Sequence, residues 1–388
     1  MQKTKKKRKV CFVITSEIHY ARNKLVLEAL RARKDVDLRI VVGASAILPV
    51  HGNVPLLLAR DKFPCSAKIL MTLEGSTPLA MAKTAGLGVS EFASVFDSLS
   101  PDIVVVRGDR YEVLSAAIAA AYLNIRVAHI EGGDVTGTID ESVRHAITKL
   151  AHIHFATNEV ARARLLRMGE NPKFVFNVGS PEIEFISRSK GKIKTNNDTV
   201  NRLGVGGIID VRKPYIVVMY HPVTTEYGSN GEHAETLLRA VQELNMPAIW
   251  FWPNVDAGAD EVSRAIRSFR EKSKMDRTRF IKYLSPEEFH GLVSASRCLI
   301  GNSSAGIKEC SYFGVPVVNI GTRQNGRARA ENVRDVSYEK RAILIALKAQ
   351  ITRGKYKRSE IYYKKDTSKK IAKILASVSP PIQKRFMD

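Results

Sequence analysis

The chain is poor in cysteine and in acid. Its 388 residues hold four cysteines, Cys11, Cys65, Cys298 and Cys310, scattered and without a CxxC pair. That excludes a disulfide framework and the common zinc-ribbon spacings, and suits reduced thiols in a cytoplasmic setting. No apolar run approaches the roughly 18 residues of a membrane span, and no signal-type apolar segment follows the charged start. A soluble, unexported protein is expected. There is no HExxH, no GxSxG elbow and no Walker-type glycine loop ending in Lys, so zincin, serine-hydrolase and P-loop chemistries have no support. His152 and His154 alternate on one strand, with His129 and His145 not far off, but metal-ligand spacing is missing and no metal or other cofactor is expected. Acid is the scarcest charge: 39 Asp and Glu against 61 Lys and Arg leave a net charge of +22. Nucleic acid, an anionic membrane surface and an anionic small substrate are all compatible with such a balance. The densest basic run, KTKKKRKV at residues 3–10, reads either as a phosphate-binding or localisation patch or as a solvated tail leading into a first strand. Arg264, Arg267, Arg270 and Lys272 fall at helical spacing and read as a solvated face.

What is present is a repeated strand-helix rhythm. The length exceeds what one core usually serves, so two domains are expected. In the first half, strands are predicted at residues 9–15 and 38–42 and from Ile103, Ile125 and Ile153, with helices between them, the first from about Tyr20. Alternation of this kind implies a parallel sheet. Residues 44–77 are irregular and contain His51, Gly52 and Pro55, so a long loop of the lid type is expected there. A polar break at residues 187–198 precedes a second rhythm, with strands at KPYIVVMY, 248–252, 279–283, 298–300 and 315–320 and helices around Glu232, Asp260, Pro286, Gly306 and Tyr338. A last helix near residues 368–377 lies beyond that pattern. The divisions predicted are 9–186, 199–362, and a C-terminal helix and tail, 363–388, packing back on the first domain.

Open parallel sheets bind ligands at the carboxyl ends of their strands. Asp109, in RGDR, and Glu131, in HIEGGD, leave two successive strand ends, and Asp140 opens the next helix. Three acids converging there form a geometry for proton transfer. In the second half, GNSSAGIKE places Ser303 and Ser304 at a helix start, which suits either a phosphate or an ordinary cap. Glu309, further along, could accept hydrogen bonds from a ribose diol. Three further strand ends carry His221, then Asn254 and Asp256, then Arg323, Gln324 and Arg327. Four polar clusters on one face suit a diphosphate bearing a sugar or nucleoside, and Arg323 is a fork donor matched to phosphate.

Taken together, RGDR, HIEGGDVTGTIDESVRHAITKLAH, HPVTT, PNVDAG, GNSSAGIKE and NIGTRQNGR resemble the hydrolysing UDP-N-acetylglucosamine 2-epimerases of sialic-acid synthesis, over roughly residues 10–348. The resemblance implies an α/β, GT-B-like fold: two Rossmann-like, doubly wound domains with a cleft between them. It implies a UDP-sugar substrate, conversion of UDP-N-acetylglucosamine and water to N-acetylmannosamine and UDP by way of a glycal, and a homodimer or homotetramer. It also implies roles: Asp109 and Glu131 as acid/base residues, Asp140 as a further acid, and His221 and Arg323 near the diphosphate. Ser303, Ser304 and Glu309 fall on phosphate and ribose, and Arg22, Arg110, Asn254 and Asp256 on the remaining substrate-binding positions. Two positions depart from the pattern: Glu17 stands where relatives usually carry Arg, leaving Arg22 as the replacement cation, and Arg107 stands where many carry His. A hydrolysing enzyme acting on UDP-N,N'-diacetylbacillosamine is the alternative; a glycosyltransferase of the same fold and a nucleic-acid-binding protein are more remote.

Overall fold

A computed structural model describes residues 6–49, 52–189 and 196–388. The start of the basic run, His51 and residues 190–195, half of the polar break at 187–198, lie outside the described residues. Seven strands, β1 (Arg8–Ile14), β2 (Val36–Gly43), β3 (Ala67–Ile69), β4 (Ile103–Arg107), β5 (Arg126–Ile130), β6 (Ile153–Ala156) and β7 (Val175–Asn177), form one sheet in the order β3-β2-β1-β4-β5-β6-β7. Every pairing in it is parallel. Both faces are covered, which is why its strands read as near-continuous apolar runs. Val10, Phe12 and Ile14 of β1 pack with Val26, Leu27 and Leu30 of the helix Glu17–Arg31 on one face. Cys11 and Val13 pack with Phe92, Phe96, Ala116 and Ala120 on the other. Each such fully buried large side chain contributes about 1.5–3 kcal/mol relative to exposure.

A second sheet contains β8 (Gly204–Gly206), β9 (Ile216–Met219), β10 (Ala248–Phe251), β11 (Thr278–Ile281), β12 (Cys298–Gly301), β13 (Val317–Ile320) and β14 (Val333–Val336), in the order β14-β13-β12-β9-β10-β11-β8. Only β8 runs antiparallel. The strand order reverses between β1 and β4 in the first sheet and between β9 and β12 in the second, and these two switch points are where ligand crevices open. The helix Thr367–Ser377 returns to the first sheet, where Ile371, Ala372 and Leu375 complete the core around β1. Arg8 Nη1 donates to the Val378 carbonyl at 2.7 Å and Arg126 Nε to that of Pro380 at 2.7 Å.

The expected long loop at 44–77 is instead substantially structured. It contains a 3₁₀ turn (Ala44–Ile47), the helix Val54–Arg60 and the edge strand β3. Pro55 falls in the first turn of its helix, where a missing N–H breaks no bond, so it starts that helix rather than preventing one. The short strands β3, β7, β8 and β14 were not expected from the sequence; at three or four residues each, they offer too few positions to show a period. Among the described residues, no helix is long and apolar enough to cross a membrane.

Candidate active site

Glu131 follows β5 with φ at +75°, a left-handed backbone that a non-glycine residue of this size adopts only when its surroundings impose it. Its N–H donates to the Phe155 carbonyl at 2.9 Å, so β6 holds the turn. The carboxylate is buried among cations. Arg107, at the end of β4, donates from Nε and Nη2 to Oε2 at 3.1 Å each. Oε1 accepts from Lys308 Nζ and, at 3.2 Å, from Arg327 Nη2. Burial by itself would raise the pKa of this carboxyl, but Lys308 and Arg107 outweigh it and hold the group well below the usual carboxylate range.

Asp109, just beyond neighbouring β4, accepts from Arg144 Nη2. Arg144 lies fully buried on the helix Ile139–Leu150 and also donates to the Asp134 carbonyl at 3.0 Å. Asp140 stands in the first turn of that helix, behind the Thr138 cap. Its pKa is raised, by burial first and by the negative charge of Asp256 second, against the pull of Arg323 and Arg110. Arg110 grips Glu112 with Nε at 3.1 Å and Nη2 at 2.9 Å, and reaches Asp256 with Nη1 at 2.7 Å.

The opposite wall is built at the β9–β12 switch point. Asn302 ties the two strand ends together: its Oδ1 accepts from the His221 N–H and its Nδ2 donates to the His221 carbonyl, both at 2.8 Å. The Asn254 N–H donates to His221 Nδ1 at 3.2 Å, which leaves the ring proton on Nε2. Burial and the nearby Arg323 push the His221 pKa down to about 3, so the imidazole is neutral and offers Nε2–H as a donor. Asn254 Nδ2 also donates to Asp256. Arg323 Nη1 donates to the Asn302 carbonyl at 3.2 Å. Ser303 caps the short helix Ser304–Ile307, accepting from the Ala305 N–H. Arg22 crosses from the first wall to Ser304 Oγ at 3.3 Å and Glu309 Oε1 at 3.1 Å. The other oxygen of Glu309, Oε2, is buried and has no hydrogen-bond partner among the described residues.

A family model described as UDP-N-acetylglucosamine 2-epimerase matches residues 28–376. The chain belongs to the UDP-N-acetylglucosamine 2-epimerase family. Among curated relatives, the UDP-N,N'-diacetylbacillosamine 2-epimerase (hydrolyzing) of Legionella pneumophila is 36% identical over 372 residues, 96% of each chain. The UDP-N-acetylglucosamine 2-epimerase of Neisseria meningitidis serogroup B is 28% identical over 390 residues, 98% of this chain and 99% of that one. Among solved structures, the UDP-GlcNAc 2-epimerase from Neisseria meningitidis bound to UDP-GlcNAc superposes with a TM-score of 0.77 at 18% identity, covering 95% of this chain and 99% of that one. The fold is therefore the GT-B-like one of these epimerases.

Within this epimerase fold, the residues singled out from sequence fall on two facing walls. Arg22, Asp109, Arg110, Glu131 and Asp140 come from the first sheet's elements, and His221, Asn254, Asp256, Ser303, Ser304, Glu309 and Arg323 from the second's. Direct contacts cross between the walls at Arg22–Glu309, Arg110–Asp256 and Lys308–Glu131. The Gly137 N–H donates to the Arg323 carbonyl at 3.2 Å and the Gly258 N–H to that of Ser76 at 3.0 Å. Of the two positions that depart from the family pattern, Arg107 lies in the cluster around Glu131. Glu17 begins the helix Glu17–Arg31, buried against Gly52; its pKa is raised by burial and opposed by a hydrogen bond with Tyr283 of the second wall. Sequence reasoning missed Lys308, Glu182, Asp134 and Arg144. A signal existed for Lys308, a lone cation inside the apolar stretch SAGIKECSYF that folds into the buried turns after β12. Among the described residues, no group of three or more His, Cys, Asp or Glu is arranged to hold a metal ion.

Proposed function

We propose that this chain is a hydrolysing 2-epimerase that converts UDP-N-acetylglucosamine and water to N-acetylmannosamine and UDP. The observation that carries the reading is the opposition of two kinds of wall across one cleft: carboxylates at the ends of β4 and β5 and at the start of the next helix, facing neutral and cationic donors at the β9–β12 switch point. The hydrogen on C2 of a pyranoside has no adjacent carbonyl to acidify it. A base removes it only as the C1–O bond breaks and positive charge builds at C1. The C2–H electron pair becomes the C1–C2 double bond of a glycal, and the C1–O pair departs with UDP. Water then delivers hydroxyl to C1 and a proton returns to C2 from the opposite face, giving the manno sugar.

In this reading Asp109 and the ionised Glu131 handle the base and charge-stabilising roles. Asp140, whose raised pKa keeps it protonated to higher pH than a free aspartate, suits the donor role. His221 Nε2–H, Arg323, Ser303 and Ser304 hold the departing diphosphate. The unpartnered Glu309 Oε2 accepts from the ribose diol, and Arg22, Arg110, Asn254 and Asp256 complete the substrate wall. The chain then divides at 9–186, 199–362 and 363–388, and acts in the cytoplasm.

A second sugar is favoured by one comparison: the 36% identical relative is named for UDP-N,N'-diacetylbacillosamine. Proton NMR of the enzyme in deuterium oxide with each UDP-sugar separates the readings. Free manno-configured sugar deuterated at C2, with UDP released, is expected from the true substrate. Release of UDP-linked manno sugar, or no turnover of either, refutes hydrolysing epimerisation here.

A further inference from the structure

The reaction just described uses Glu131 but gives no reason for a second buried carboxylate and a buried lysine beside it. Lys308 is entirely shielded from solvent and sits at the break between the helices Ser304–Ile307 and Glu309–Phe313. Its Nζ donates to Glu131 Oε1 and lies 3.5 Å from Glu182 Oε1, over the Tyr362 ring at 5.6 Å. Arg107 makes the complementary pair, donating to Glu131 Oε2 at 3.1 Å and to Glu182 Oε2. Each carboxylate thus touches both cations, in a closed ring of four buried charges that sums to zero. Three members belong to the first wall; Lys308 alone comes from the second. Removing any one leaves a buried charge without its counter-ion, which is costly, whereas the full set is balanced.

We propose that Lys308 is a positioning residue which, with Glu182 as its counter-charge, fixes the carboxylate of Glu131 from the opposite wall in the place where it acts on the sugar. The inference rests on the role given to Glu131 above. The other charged and titratable groups around Glu131 are Arg107 and Arg327, with His19, His129 and Arg22 near the cluster. Arg327 is shared with Asp134, at 3.2 Å from Nε and 3.1 Å from Nη2. Arg107 is shared with Asn23 Oδ1 and the Arg22 carbonyl. Lys308 is therefore the ring's one member supplied by the second wall, held where Ile183 and Ile186 pack with Ile307 and Tyr312.

The test compares Lys308→Met, Lys308→Arg and the double variant Lys308→Met/Glu182→Gln in the full-length enzyme, reading kcat and KM across pH together with melting temperature. Lys308→Met strands Glu182 and is expected to lose stability; the double variant removes both charges and is expected to recover it. In both, kcat is expected to fall with KM little changed. In Lys308→Met the acid limb of kcat should move up by about one to three pH units, the usual effect of losing a cation in contact with a carboxylate; in the double variant it should move less, because the charge of Glu182, also lost, itself raises the Glu131 pKa. Lys308→Arg keeps the cation, and its acid limb should stay near the wild-type position. Wild-type kcat in both Lys308→Met and the double variant, with a wild-type pH profile in Lys308→Met, overturns the inference. Glu131→Gln run alongside tells the two failures apart. If it is active, the role of Glu131 itself falls; if it is inactive while the double variant behaves as wild type, only the role of Lys308 falls.

Discussion

Two loops meet across the cleft so closely that one methyl group should force them apart. Gly137, in the turn between Glu131 and Asp140, donates its N–H to the Arg323 carbonyl across the cleft. A Cβ built on Gly137 would lie 1.9 Å from the Thr322 carbonyl oxygen and 2.8 Å from its carbon. Real Cβ atoms do not approach heavy atoms closer than 3.0 Å, so in Gly137→Ala the two loops must part by about 1.1 Å, the difference of 3.0 and 1.9. Alanine brings no backbone strain here, because Gly137 is not among the positive-φ glycines. The perturbation is therefore confined to the gap between the walls. It costs the cross-cleft hydrogen bond, about 1 kcal/mol, and displaces the acids from the diphosphate-binding wall by roughly the 1 Å that lowers rates on the order of 10²-fold. UDP release by a coupled assay should show kcat down by that factor. Calorimetric affinity for UDP should stay within several-fold of wild type, since His221, Asn302 and Ser303 keep their partners. Wild-type kcat at an unchanged melting temperature would refute the reasoning that the two walls must meet at this contact for the site to work.

Gly86→Ala makes the contrasting control. Gly86 lies within the helix Pro78–Leu99 and a Cβ there meets nothing within 4 Å, so thermal melting should show a gain of up to about 1 kcal/mol with kcat unaltered. Glu131→Gln should abolish turnover and leave UDP affinity, by calorimetry, close to wild type; turnover near the wild-type rate would sink the role given to that carboxylate. Burial pushes His129 and His290 down to about 4 and His19 and His221 down to about 3 from an ordinary 6.5. Between pH 6.5 and 4 the unfolded chain binds protons that the folded chain refuses, so stability falls as pH falls. Each such histidine contributes about 1.4 kcal/mol per pH unit. Chemical denaturation at pH 6.5 and 4.5 checks this, and equal stability at both values would contradict the neutral, buried state of these rings.

The doubly wound pattern was legible because parallel strands buried on both faces leave apolar runs such as Ile103–Arg107, each followed by a polar turn at the ligand-binding end. The same logic exposed Asp109, Glu131, His221, Asn254, Ser303 and Arg323, which follow their strands directly. Lys308 and Glu182 stayed hidden because their meaning lies in a pairing 126 residues apart in sequence. Neither local spacing nor strand-end position announces such a pair. Arg144 was hidden for a related reason: on a helix it reads as one of many cations at helical spacing, and only its complete burial marks it as a partner for Asp109. Helix Val54–Arg60 was missed because Pro55, with His51 and Gly52, marks the stretch as irregular in sequence, whereas it falls in the first turn of the element.

The return of the helix Thr367–Ser377 to the first sheet also bears on how the chain is made. At typical synthesis rates of about 5–20 residues per second, roughly 18 to 72 s separate the start of β1 at Arg8 from the start of that helix at Thr367. All seven strands of the second sheet have emerged before that helix does. The first sheet is synthesised first, yet its core around β1 lacks Ile371, Ala372 and Leu375 until the second sheet has been made. The half of the protein that carries the acids thus waits longest to finish folding, and a chain cut between β14 and that helix would have the strands of its second sheet complete and its first sheet open.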